Sequence, residues 1–507
     1  MSKQLQPLSV AAPAFFGLNT QDSPVGMSAN FAKRADNCVI DKQGRIAARQ
    51  GHTQVSTAFP SGDDALGANP IEAIHEHVAY DGTKTVYSAG NNRLYTGTTT
   101  LTLLAFPDGH VAPTSNHWKI VSFANNVYFF QRGQYPLKQT NGVGALAELQ
   151  HGGGENNRAP QANEVLASLG RLWATDKTDN KYTVYYTLTG ADDFHAGGQL
   201  DLTSVWASDD IVALAEFNGS LVIFGKRQTV IYKGAESIDT LALADIINVG
   251  CIARDSVQAT ADDLIFLSDQ GVMSLGRLIQ EKSQPLRDIS KNVRSDLMSD
   301  VPSDTTGVKS VYSPENAFYL LSLPAVSKVY VFDLRGALED GAYRATKWVD
   351  IALTAFERLS SGTLYMGKKT LGIVQYEGFQ DAGSTYRMRY FSNEQDFGAP
   401  ANEKFLKKMR VTVIGGALST AVLKWGYDYE ESYAQETFTF GSSTIAQFGI
   451  AEYNTTAEYS AGITVNRPSV NASGSGTTLS FGVETIINNS NFSIQKIDIL
   501  ALIGRLL

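Results

Sequence analysis

The chain has 507 residues, 43% apolar, 10% aromatic and only 18% charged, so it is too long for one ordinary hydrophobic core and carries material for two or three packed units. A formal net charge of −9 excludes a protein whose main work is gripping nucleic acid, because phosphate contacts call for Lys/Arg-rich surfaces. Cys38 and Cys251 stand far apart, which excludes a disulfide framework and a cysteine zinc site.

Forty-five glycines and abundant Thr, Ser, Val, Tyr and Phe predict an all-β chain of short strands and turns. The opening, Met1 to Pro7, has no long apolar stretch behind Lys3, and no apolar run approaches the ~20 residues of a membrane helix, so neither a secretion leader nor a membrane span is expected. Residues 1–69 read as an arm and a hairpin, in which Asn37-Cys38-Val39-Ile40-Asp41 turns through Lys42-Gln43-Gly44 into Arg45-Ile46-Ala47-Ala48-Arg49.

From residue 70 to 384 a degenerate unit recurs: a turn of Asn, Gly, Asp or Ser, then an apolar, often aromatic, strand. Its anchors are Leu94, Val127, Leu172, Leu221, Leu264, Phe318 and Leu364, 33 to 54 residues apart. That spacing brackets the ~40–50 residues of one propeller blade. The clearest hairpin runs Ile211 to Phe217, turns at Asn218-Gly219 and returns through Leu221 to Phe224; Asn-Gly tolerates the positive φ of a tight primed turn. Its apolar runs are continuous, which predicts strands covered on both faces, as in blades stacked around an axis. The expected fold is a β-propeller of about six or seven blades. Only Ile289–Met298, between Pro285 and Pro302, reads as helix, with Ile289, Val293, Leu297 and Met298 at helical spacing.

From 385 to 507 the pattern alternates again, over Tyr386–Phe391, Lys408–Ile414, Ala421–Tyr427, Thr437–Phe440, Leu479–Thr485 and Phe492–Leu502. Met409, Val411 and Val413 alternate with Arg410 and Thr412, so a terminal β-sandwich or partly open barrel with one buried face is expected.

Several constellations imitate chemistry. Gly362-Thr363-Leu364-Tyr365-Met366-Gly367-Lys368 has the spacing of a phosphate loop, but Lys369 replaces its Ser/Thr and the middle is a strand. His75-Glu76-His77 sets two imidazoles on one strand face without a third ligand nearby, so no metal is expected. Asp192-Asp193, Asp209-Asp210 and Asp262-Asp263 lie beside turns, where Asp serves the backbone, and adjacent strand residues point apart. Asp176-Lys177-Thr178-Asp179-Asn180 lacks the glycine and glutamate of a calcium loop. Trp173, Trp206 and Trp348 are expected in blade packing. No nucleophile elbow occurs, so neither catalytic residues nor a cofactor is expected.

The stretches Phe16-Gly17-Leu18-Asn19-Thr20, Ala35 to Ile46 and Arg49-Gln50-Gly51 resemble the opening of podovirus tail nozzle proteins, also called tail tubular protein B. Gly17, Asn19, Asp36, Asn37, Asp41, Gly44, Arg49 and Gly51 carry the match. Asp396-Phe397-Gly398-Ala399-Pro400 before Lys404 resembles the entry to the terminal β domain of such proteins. The resemblance implies a non-enzymatic subunit of the virion tail, made in the host cytoplasm. Copies would close into a homohexamer below the portal adaptor or gatekeeper ring, contact tail fibre or spike proteins, and retain and then conduct genomic double-stranded DNA through a central channel. A neutral or negative lining would let DNA slide. The rival expectation is a propeller that binds or hydrolyses host-surface glycan, which a convergent carboxylate cluster in a deep axial pocket would favour.

Overall fold

A computed structural model describes residues 4–57, 71–90, 93–110, 117–149, 159–194, 197–206, 209–281, 288–368, 370–417, 419–430, 432–441 and 465–506. The expected turn residues Asn91 and Asn92, Pro285 and Lys369 lie outside them.

Six four-stranded blades form a β-propeller. Five are separate sheets and the sixth is the first four strands of a ten-stranded sheet. A three-stranded sheet, Gln258–Ala259, Leu264–Ser268 and Gly271–Ser274, fills the ring between the fourth blade and the one that opens at Lys309–Ser313. The inner strands follow one another around the axis: Ile71–Val78, Lys119–Phe123, Glu164–Ser168, Ile211–Phe217, the turn Arg254–Ser256, Lys309–Ser313 and Ala355–Arg358, which returns to Ile71–Val78. All seven anchors fall in different sheets of this ring; six sit on the second strand, and Leu94 sits on the third strand of the first blade.

The continuous apolar runs have the expected cause. Leu221 and Ile223 pack between the third and fourth blades, whereas Val222 and Phe224 face the three-stranded sheet. One strand thus serves two interfaces, and polar alternation is lost. Asn218 and Gly219 both take positive φ, 50° and 69°, as the primed turn requires.

The last blade is closed from outside the stretch expected to form the propeller. His52–Gln54 pairs antiparallel with Gly372–Tyr376 and supplies its fourth strand, so the ring starts before residue 70 and is locked by chain segments more than 300 residues apart. Ring closure by non-neighbouring strands protects sheet edges that would otherwise lie open.

The rest is a two-sheet sandwich. In one sheet Phe492–Leu506 lies between Asn402–Gly415 and the arm strand Gln4–Ala11, whose eight residues all pair with it. The other is the remainder of the ten-stranded sheet, through Phe31–Asp36, Tyr386–Ser392, Leu479–Ile487 and Thr420–Tyr427. Met409, Val411 and Val413 are fully buried while Arg410 is exposed, as the alternation required. They share a cluster with Tyr390, Leu423, Phe481 and Ile497, and this cluster runs on into Ile265, Tyr319 and Leu321 of the propeller.

The helical expectation needs two corrections. Ile289 precedes a single 3-10 turn, Lys291–Val293, and the α-helix itself spans Arg294–Asp300. A second short helix, Leu275–Glu281, packs Leu275 and Leu278 under the fourth blade; seven residues are too few to stand out from a strand by periodicity.

Candidate functional site at the propeller axis

Inner strands of a propeller point side chains at the axis, and here several open on a single charge: Lys119, Glu164 and Lys309 are the first residues of theirs. With Glu72, Glu357, Arg254 and Asp255 they form a polar cluster across the axis. Asp255 is its hub. Lys309 Nζ lies 2.6 Å from Asp255 Oδ2, Arg254 Nε and Nη2 each lie 2.9 Å from a carboxylate oxygen, and Lys119 stands 3.9 Å away. Arg254 also donates to the carbonyls of Asn163 (2.7 Å) and Trp118 (2.8 Å), joining the second and third blades to the three-stranded sheet.

Burial pushes the Asp255 carboxyl up, but the Arg254 and Lys309 charges outweigh it and hold the group well below the usual carboxylate range. Glu72 and Glu357 lack such close cations: burial pushes Glu72 up to about 7 and Glu357 up to about 8. Burial lowers His75 to about 4 and, with the Arg254 charge, lowers His117 to about 3. Ionised and protonated carboxyls therefore share one pocket of about 170 Å³ lined by Glu72, His75, Lys119, Asp255, Lys309 and Glu357. Sequence reasoning missed this cluster; its signal was the single charge that opens three of the inner strands, at Lys119, Glu164 and Lys309.

The constellations singled out in the sequence serve the fold. His75 Nε2 and His77 Nδ1 share one face, as expected, and both meet Ser122 Oγ of the next blade, at 2.8 and 2.9 Å. Among the described residues no group of three or more His, Cys, Asp or Glu is arranged to hold a metal ion. Asp192 accepts from Tyr128 Oη and Lys138 Nζ, Asp209 caps three backbone amides from Lys226 to Gln228, and Asp263 accepts from the amides of Leu264 and Gly276. Asp176 accepts from Arg132 and Asn163 at the base of its turn. Gly362 lies in a hairpin turn, and Lys368 Nζ points 3.0 Å from His52 Nε2. Trp173, Trp206 and Trp348 are buried between blades.

Of the residues that carry the family resemblance, four meet at the junction of propeller and sandwich. Arg49 is 1% exposed, forks onto Asp381 at 2.6 and 2.8 Å, donates to Asn37 Oδ1 at 3.1 Å, and lies 4.0 Å over the Tyr386 ring and 5.6 Å from that of Trp348. Asn37 in turn donates to Arg387 O at 2.8 Å and accepts from Val349 N at 3.1 Å. Asp36, beside it, accepts from Arg34 at 2.5 Å. Gly51 has no room for a side chain, since a Cβ would stand 1.9 Å from Gln380 O. The others sit apart. Gly17 (φ +80°) lets its strand run against Ala345, Asn19 caps the amides of Gln21 and Asp22, and Asp41 closes the turn that contains Gly44. Asp396 Oδ1 accepts from Gly398 N in the turn with Phe397 and Pro400, on the way to Lys404.

Fold and site define a β-propeller protein whose ring is fused to a β-sandwich. No family model and no curated protein matches the sequence. Similar solved structures include the WD40 domain of Neurospora crassa Pan2, at 11% identity and a TM-score of 0.40 over 64% of this chain and 95% of that one. Kluyveromyces lactis Hsv2 has 10% identity and a TM-score of 0.34 over 64% and 93%, and YCF48 bound to D1 peptide has 9% identity and 0.34 over 65% and 94%.

Proposed function

We propose that the chain is a non-enzymatic structural subunit of a short-tailed phage tail, one of six copies that close into a ring below the portal adaptor and hold, then conduct, double-stranded DNA. The observation that carries this reading is the platform: segments 4–48 and 386–506 interleave in one sandwich that continues out of a propeller blade. Such a platform suits the contacts between copies of a homohexamer, with one propeller projecting from each copy. The propeller axis supports it too, because ion pairs centred on Asp255 cross it and leave a pocket of about 170 Å³, so a path for DNA belongs to the ring and not to one subunit. Electron microscopy of the purified chain, alone and with the neighbouring tail ring, tests this. Six-fold rings are expected; a chain that stays monomeric in both samples overturns the reading.

One observation favours the glycan rival. Asp255 stays ionised beside Glu357, which is raised to about 8 and so keeps its proton near neutral pH, and carboxyls pushed apart in this way supply an acid and a base. The pocket is smaller than the ~300–1,000 Å³ of most ligand sites, which weighs for the structural reading. Cleavage of host-surface polysaccharide by the purified chain, lost in Glu357→Gln, would establish the rival.

A further inference from the structure

Outside the axis, a groove lies on the outer face of the ten-stranded sheet, where it forms half of the sandwich. It measures about 520 Å³ and brings together Lys33, Arg34, Arg387, Arg389 and Lys424 from three strands, with Glu394 and Glu484. Arg387 and Arg389 are two apart on one strand and so share its face. The carboxylates only partly neutralise these cations. Glu484 takes Lys424 at 2.9 Å, Arg387 at 3.3 Å and Arg389 at 3.8 Å; Glu394 takes Lys33 at 2.8 Å; Asp36 takes Arg34 at 2.5 Å and Arg389 at 3.7 Å. Five cations face three carboxylates, a surplus of two positive charges on a chain of net charge −9. Two of the five stand most open to solvent: the Arg34 and Arg387 side chains are 49% and 51% exposed. Tyr429, 53% exposed, and Tyr433 edge the same groove.

We propose that this groove is a contact surface for the phosphodiester backbone of duplex DNA. The inference rests on the conduit reading for its ligand, and on the groove's charge for its place. Guanidinium groups suit phosphate because their planar fork matches two oxygens. The four adjacent strands set the cations across about 14 Å, a length over which a duplex carries about eight phosphate charges. The interleaved carboxylates matter as much as the cations. With a surplus of about two, few counterions are released, so this groove guides a moving duplex and leaves its retention before ejection to other parts of the ring.

The test is duplex DNA binding by the full-length protein over a salt series, followed by anisotropy, with ring formation scored in parallel by electron microscopy. Binding that weakens about tenfold between 50 and 200 mM salt is expected, from about two phosphate contacts. Arg34→Ala with Arg387→Ala should abolish the salt dependence, and Glu484→Gln should tighten binding and steepen the slope by about one contact. Wild-type protein that forms rings but binds no duplex, or variants that bind as wild type does, would overturn the inference and leave the conduit reading standing. Loss of rings in the double-arginine variant would make the groove a contact between copies of the chain and would likewise overturn it. A wild-type chain that makes no rings removes the conduit reading first.

Discussion

Arg49 shows how much one side chain can tie together. Its guanidinium is buried, its fork is filled by Asp381, and its faces lie against Tyr386 and Trp348, so it links the arm, the sixth blade and the sandwich. Removing one partner of a buried pair strands the other, at a cost of about 3–5 kcal/mol. Arg49→Ala should lose that much in urea unfolding, and Arg49→Lys should lose less, keeping the charge without the fork. Burial raises the Asp381 carboxyl, but hydrogen bonds from Arg49 and His52 outweigh it and hold the group far below its ordinary range. The stabilisation is therefore whole above the unfolded value of about 3.9 and fades as pH falls toward the folded one. Glu357 runs the other way. Burial lifts it to about 8, so its contribution is whole below about 4.3 and is lost as pH rises toward 8. Glu357→Gln should thus gain on wild type between pH 5 and pH 8 in urea midpoint; a constant difference would show that the carboxyl titrates normally. The resemblance singled out Arg49, Asn37 and Gly51, but not Asp381, because nothing local marks a partner 332 residues away.

At the scale of elements, the recurring hairpins were visible because each second strand is apolar on both faces and follows a turn of residues that accept positive φ. The closing strand His52–Gln54 was not: three residues with one buried side chain carry no pattern, and its partner strand, Gly372–Tyr376, is more than 300 residues on. What seats that strand is Gly51. Its φ is ordinary, so the constraint is purely steric: a methyl group would lie 1.9 Å from Gln380 O and 2.4 Å from Gln380 C, backbone that cannot rotate away. Overpacking costs about 1–3 kcal/mol where side chains can yield, and occasionally more. Gly51→Ala is expected at or beyond the top of that range. Gly82→Ala is the control. There φ is +85° with nothing within 4 Å of the new atom, so only the left-handed backbone is penalised, by about 1–2 kcal/mol. Urea midpoints of the two variants decide it; equal losses would mean that the closing strand is not seated tightly.

Over the whole molecule, sequence patterning divided the chain into arm, propeller and terminal β domain, and composition alone could not reveal how these share structure. The ten-stranded sheet starts as a blade and ends as half of the sandwich. One apolar cluster holds Ile265, Leu267 and Tyr319 of the propeller together with Met409, Leu423 and Ile497 of the sandwich. Separate domains unfold separately when the surface between them is small and polar; here the boundary is hydrogen-bonded strand and buried side chains. Neither part can open without exposing the other's core. Calorimetry is therefore expected to give one transition whose calorimetric and van't Hoff enthalpies agree, even at 507 residues. If copies assemble as proposed, its midpoint should also rise with protein concentration, because association favours the folded state. A fragment spanning 71–384 lacks both the closing strand and the sandwich side of the shared cluster, and should be recovered as aggregate rather than as a folded ring. Two resolved transitions, or a soluble and cooperative 71–384 fragment, would mean that the sandwich is appended to the propeller and does not complete it.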